Sequence, residues 1–155
     1  MTNVNEALGV ARAAMEAGMP SVISFTLETD GRLPTGETLK DAIGAVDAAT
    51  GAAPAYYMLN CAHPTHFDRV FEEGEAWMKR LKGLRANSSM RSHAELDNSP
   101  ELDTGNPAEL AREYADILRR FPHINVLGGC CGTDHRHVSA VAHSCANHAH
   151  QAHAA

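Results

Sequence analysis

Apolar residues recur at spacings of three and four along "VNEALGVARAAMEAG" (residues 4–18), where Val4, Ala7, Leu8, Ala11 and Ala14–Met15 share one face. That is the period of an amphipathic helix, and Gly18 and Pro20 end it. The next run, "SVISFTL", is short, apolar and rich in β-branched residues, which predicts a buried strand. The alternation continues along the chain. A loop, "ETDGRLPTGE", leads to a helix, "TLKDAIGAVDAA"; the strand "AYYMLNC" and the helix "THFDRVFEEGEAWMKRL" follow. The strand "GLRANSS" has the weakest hydrophobic signal, and a long polar loop from about Met90 to Gly105 comes after it. Asn106 is placed to N-cap the helix "PAELAREYADILRRF", with Pro107 in its first turn. The strand "INVLGGCC" comes next, then a helix from near Thr133–Asp134 through "HRHVSAVAHSCANHA". The His/Ala-rich tail, about residues 147–155, is expected to be flexible.

Strands alternating with helices predict parallel βα units, here four strands and five helices in one α/β domain. The strand runs read as buried on both faces, as in a sheet covered by helices. A chain of 155 residues suits a single domain and removes roughly 70% of its unfolded surface from water. A net charge of −6 and the lack of any Lys/Arg run argue against nucleic acid and anionic membrane as partners. No apolar run approaches the ~20 residues that span a bilayer. The N-terminal stretch lacks a basic region followed by an apolar block, so no signal peptide is expected and the cytoplasm is the expected compartment.

Four cysteines change this bland picture: Cys61, Cys130, Cys131 and Cys145. Reducing conditions oppose disulfides, and thiolates held for a metal or for reaction are the better reading. Cys61 falls at the C-terminal end of "AYYMLNC", and Cys130 and Cys131 at that of "INVLGGCC". In a parallel sheet those ends share one rim, where active sites are built. Three thiols delivered to one rim form a ligand set. Gly128 and Gly129 leave room for close approach, and Gly132 permits a sharp exit. The competing readings are packed free thiols and a redox pair. Among abundant divalent ions, three soft sulfur donors favour zinc. Three ligands leave a vacant corner, the arrangement of catalytic rather than structural zinc. Three anionic sulfurs quench the acidity needed to make hydroxide, but they suit capture of a substrate thiol as a thiolate, the nucleophilic form. Alkyl transfer to a thiol is the reaction class that follows.

These residues resemble a known family, the zinc-dependent homocysteine S-methyltransferases. "GGCCGT" (residues 128–133) with the helix start "DHRHV" resembles the family's final barrel strand and turn. "NC" at Asn60–Cys61 resembles its upstream zinc strand, "ISFTLETDGRLPTGETLKDAI" the strand, loop and helix before that, and "ANSS" (residues 86–89) a degenerate form of the family's "PN(S/A)G" strand end. The resemblance covers essentially the whole chain. It implies a (β/α)8 barrel, zinc (Zn2+) held by Cys61, Cys130 and Cys131, homocysteine sulfur completing the coordination, and Asn60 beside the substrate. The implied activity is methyl transfer to homocysteine, giving methionine. S-methylmethionine, S-adenosylmethionine and betaine all stay open as methyl donor.

A full barrel of this type takes ~250 residues. The resemblance therefore covers the C-terminal half of a TIM-type barrel, from about the fifth strand to the eighth. Four strands in an open arc have two unpaired edges, which invite self-association or a partner half-barrel. The alternative function is accordingly a catalytically inactive zinc-binding half-barrel, a fragment or a subunit needing a partner.

Other polar residues carry weaker signals. Asn87 and Ser88 end the third strand on the same rim and are candidate substrate contacts. Glu28 and Asp30 lie on that rim too, although a turn at "ETDG" explains them equally well. His63 and His66 follow Cys61, and His135 and His137 follow the cysteine pair; helix starts and packing are their ordinary roles. Cys145 reads as a packed free thiol and Trp77 as helix-to-sheet packing. His143, His148, His150 and His153 show no ligand spacing and read as a solvated tail.

Overall fold

The structure, a computed structural model, describes residues 1–152, with side chains through residue 146. Four strands, β1 (Val22–Thr26), β2 (Tyr56–Asn60), β3 (Leu81–Ala86) and β4 (Val126–Gly129), form one sheet in the order β1-β2-β3-β4. Every neighbouring pair is parallel. Each strand follows a helical segment and lies next to its predecessor, the topology of consecutive βα units in a TIM-type barrel.

The helices are α1 (Val4–Glu16), α2 (Leu39–Thr50), α3 (Pro64–Phe67), α4 (His93–Asp97), α5 (Pro107–Arg120) and α6 (His135–Ala152). Their starts follow local chemistry. Asn3 caps α1 by accepting from the Glu6 N–H, and Thr38 caps α2 by accepting from that of Asp41. Asn106 caps α5 by accepting from Ala108 and Glu109, with Pro107 in the first turn. Each side chain satisfies backbone donors that the first helical turn leaves unpaired.

The core lies between the helices and one face of the sheet. Ile23, Phe25, Tyr57, Leu59, Leu84 and Ala86 point into it from the strands. Ala7 and Ala11 of α1, Ile43 and Val46 of α2, and Leu110, Tyr114 and Ile117 of α5 close over them. Tyr114 is fully buried, and its hydroxyl spans two strands: it accepts from Ala86 N at 2.8 Å and donates to Gly128 O at 2.9 Å.

Two expectations are revised. The strands are not buried on both faces. The second face carries Val22, Ser24, Thr26, Tyr56, Asn60, Arg85 and Val126, all partly or fully exposed, and Met58, which is buried over Gly83. Four strands make an open arc, and among the described residues no second layer lies across it. The long helix expected over residues 65–81 is also broken. It becomes α3, a 3₁₀ turn (Asp68–Val70), a loop with Gly74 at φ +81°, and a second 3₁₀ turn (Ala76–Arg80) running straight into β3. Phe71 leaves helical geometry at ψ 128°, and its ring packs between Phe67 and Phe121. Burying those rings outweighs the helical hydrogen bonds given up. The polar loop after β3 holds a short helix, α4, started by a reciprocal capping box between Ser92 and Glu95.

Candidate metal centre

The cysteine rim is built at the C-terminal ends of β2, β3 and β4. Cys61 is the first residue past β2, and its φ of +56° is left-handed, a conformation a non-glycine residue adopts at some cost. Several bonds hold it there. Its N–H donates to Arg85 O at 3.1 Å, continuing the ladder to β3. Its carbonyl accepts from Asn87 Nδ2 at 3.1 Å and from His93 Nε2. Cys130 is the first residue past β4 and continues that ladder, its N–H donating to Ala86 O at 2.9 Å. Cys131 follows, with its N–H donating to Asn87 Oδ1 at 3.2 Å and its carbonyl accepting from Ser88 N, also at 3.2 Å. The Asn87 amide thus ties both cysteine segments together, one through each end.

Glycine is required twice in the turn. At Gly129 a Cβ would fall 2.1 Å from Thr133 Oγ1, the hydroxyl that donates to Cys130 O. At Gly132, with φ +78°, it would fall 2.1 Å from Ser88 Oγ and 2.3 Å from Asp103 O. The loop after β3 therefore packs directly on the backbone of the cysteine turn.

The outcome is convergence. The sulfur atoms of Cys61, Cys130 and Cys131 all lie within 4.8 Å of one another. Among the described residues no further histidine, cysteine or carboxylate joins the group. Two sulfurs held ~2.3 Å from one ion at a tetrahedral angle stand about 3.8 Å apart. The donor set therefore fits a soft or borderline divalent cation after a small contraction. Burial first, and then the neighbouring Cys130 sulfur, push the Cys61 thiol above its ordinary range.

The sequence model of the homocysteine S-methyltransferases matches residues 1–145, which takes in all four βα units and the three cysteines. The chain belongs to the homocysteine S-methyltransferase family. No curated protein matches it. Membership assigns methyl transfer to a thiol as the chemistry at family level. Among the described residues no helix is long and apolar enough to cross a membrane.

The other residues of this family member that the sequence singled out take distinct places. Asn60 lies on the open face of the sheet, where its Oδ1 accepts from Ser24 Oγ at 2.6 Å and its Nδ2 donates to Thr26 Oγ1 at 3.1 Å. Asn87 bridges the cysteine segments as described. Ser88 Oγ donates to Asp103 O at 3.2 Å and lies 3.4 Å from Cys131 O. Asp30 closes a turn by accepting from Arg32 N at 3.0 Å. His63 caps α3, accepting from Thr65 N through Nδ1 at 3.3 Å. His66 bonds Met90 O through Nε2 at 2.9 Å. His137 is buried, accepts from Asp134 N through Nδ1 at 3.1 Å, and donates to Thr104 O through Nε2 at 2.8 Å. His135 and His143 are exposed on α6, Cys145 is buried there, and Trp77 donates to Glu72 at 3.0 Å. His148, His150 and His153, in the tail of about residues 147–155, lie outside the residues whose side chains are described.

His93 is the residue the sequence reading missed. It sits in the first turn of α4, and its Nδ1 meets Glu28 Oε1 at 3.1 Å while its Nε2 meets the Cys61 carbonyl. Burial disfavours its charge, but the bonds to Cys61 and Glu28 outweigh that and raise its pKa. The available signal was "SHAE", whose serine and glutamate three apart mark a helix start.

Proposed function

We propose that this chain holds zinc between Cys61, Cys130 and Cys131 and transfers a methyl group to the thiol of homocysteine, giving methionine. The observation that carries this reading is the meeting of three sulfur atoms from two strand ends within 4.8 Å of one another, with no fourth donor in the group among the described residues. Three protein ligands and one vacant position are what a catalytic rather than a structural site needs. Zinc, when bound, supplies Lewis acidity that lowers the pKa of an incoming thiol into the neutral range.

The chain's own residues provide the frame. Cys130 and Cys131 are presented from a turn that Asn87 and Ser88 hold in place, and Cys61 from a left-handed residue locked through its carbonyl. We assign Asn60, Asn87 and Ser88 to the wall beside the substrate. Asn60 faces the open side of the sheet, and Asn87 and Ser88 border the cysteine turn. The substrate sulfur, its proton lost to solvent, attacks the methyl carbon of an onium donor. The new S–CH3 bond forms as the donor's bond to that carbon breaks, and the donor leaves with the electron pair. Alignment of the two reactants for in-line attack is where a rigid rim lowers the barrier.

The test is metal analysis joined to a methionine-formation assay on the purified protein, with homocysteine and each candidate onium donor. About one zinc per chain and methionine formed are the expected results. Protein reconstituted with zinc that retains none of it would end the proposal.

A further inference from the structure

Arg85 is the residue of β3 whose carbonyl accepts from Cys61 N, and the proposed chemistry so far leaves its side chain without a role. It is in β3, exposed, with Asn60 of β2 and Gly128 of β4 as its register partners. Its side chain lies on the open face of the sheet. A Cβ at Gly128 would come 3.5 Å from Arg85 Cγ, so the arginine stem passes over the space that glycine leaves empty. Asn60 shares that face through its bonds to Ser24 and Thr26. Cys130 is two residues beyond Gly128, and Cys61 N bonds the carbonyl of Arg85 itself at 3.1 Å. The arginine therefore stands one step below the cysteine rim, between the two strands that carry it.

Most arginines of the chain with charged neighbours are paired: Arg80 with Asp47, Arg120 with Asp68 and Glu73, Arg136 with Asp134. Arg85 has no hydrogen-bonding or ion-pairing partner among the described residues. A guanidinium on the open sheet face near the cysteine cluster is matched to a carboxylate, which it can grip through two parallel N–H···O bonds.

We infer that Arg85 is the anchor for the α-carboxylate of the amino-acid thiol, an assignment that rests on the thiol-capturing role proposed above. Sulfur and carboxyl carbon of homocysteine are separated by three tetrahedral carbons, on the order of 5 Å when extended, and Arg85 is set one register step from Cys61 and two from Cys130. The cysteines then select for sulfur and Arg85 for the acid, so that a simple thiol is discriminated from an amino-acid thiol at a second point.

Titration calorimetry of the zinc-loaded protein tests this with two ligands: L-homocysteine, and 3-aminopropane-1-thiol, which lacks only the carboxylate. In Arg85→Ala, homocysteine binding should weaken by about 10- to 100-fold while the decarboxylated thiol binds as it does to the unaltered protein. Arg85→Lys should recover part of the loss, since it restores charge without the bidentate fork. Equal weakening for both thiols, or none for homocysteine, overturns the assignment. Should the unaltered protein hold zinc yet bind neither thiol, the thiol-capturing role falls first and Arg85's role falls with it. Zinc content measured in each variant separates a lost anchor from a disturbed metal centre.

Discussion

His93 donates through Nε2 to the carbonyl oxygen of Cys61, linking residues 32 positions apart in the chain. Glu28 orients the same ring from the loop after β1. A left-handed cysteine is thereby held by a residue from one loop that is itself held by a residue from another. Partners one shell out from a metal site orient its ligands, and losing them typically costs ~10- to 100-fold in affinity. His93→Ala should lower zinc affinity by about tenfold in competition with a chromogenic chelator. His93→Gln, which keeps a donor, should recover much of it.

Zinc should also stabilise the fold, because a ligand that binds only the native state adds about 2.7 kcal/mol at a hundred times its Kd. Thermal unfolding with and without a chelator measures the difference. Cys131 is exposed, so Cys131→Ser leaves the packing intact. The variant should unfold at the chelated protein's temperature whether or not zinc is added.

Tyr114→Phe isolates a different support. The hydroxyl serves Ala86 N and Gly128 O, one on each of the strands leading to the rim. Removing it leaves the buried Ala86 N–H and the half-buried Gly128 carbonyl without that partner, at a cost of about 1–3 kcal/mol. Urea denaturation should show the loss as a lower midpoint at unchanged slope.

Glu113 sets a pH dependence remote from the metal centre. Its Oε2 is buried without a hydrogen bond, and burial, reinforced by Glu109, pushes its pKa up to about 7. His63 Nε2 is 3.4 Å away, but burial and then His66 take that imidazole down to about 4, so it brings no charge to the carboxylate, and Arg112 offsets the burial only in part. The folded state therefore holds a proton that the unfolded chain releases near pH 4.3. Stability from this group is present below that value and is lost as pH rises through about 7. Screening at its partly exposed side chain limits the loss to about 1–2 kcal/mol. Glu113→Gln should flatten this part of the stability profile between pH 5 and 8, read from urea midpoints.

Local chemistry carried much of the fold. The α1 pattern of Val4, Ala7, Leu8 and Ala11, the Asn106–Pro107 start of α5 and the apolar runs of β1, β2 and β4 are short-range signals, and the elements formed where those signals lay, whereas β3, expected over residues 83–89, runs from Leu81 to Ala86 and leaves Asn87 and Ser88 just past its end. The segment from residue 65 to 81 went the other way. Its helical periodicity was real, but Phe71 and Met78 reach the core only if the helix breaks between them, and no local pattern reports where the core is. His93 was hidden for the same reason. Its significance comes from Glu28 and Cys61, which are distant in sequence.

The sequence by itself determined the alternation of strands and helices, the placement of Cys61, Cys130 and Cys131 at strand ends, and the glycines that let the vicinal pair turn. These follow from backbone preferences and hydrophobic period, which act over a few residues. Only the tertiary structure decided that the three sulfur atoms meet, that Asn87 and His93 lock the ligand segments, and that Arg85 stands open beside them. Those relations depend on which strands become neighbours and in what register, and that is fixed by burial of the whole core at once.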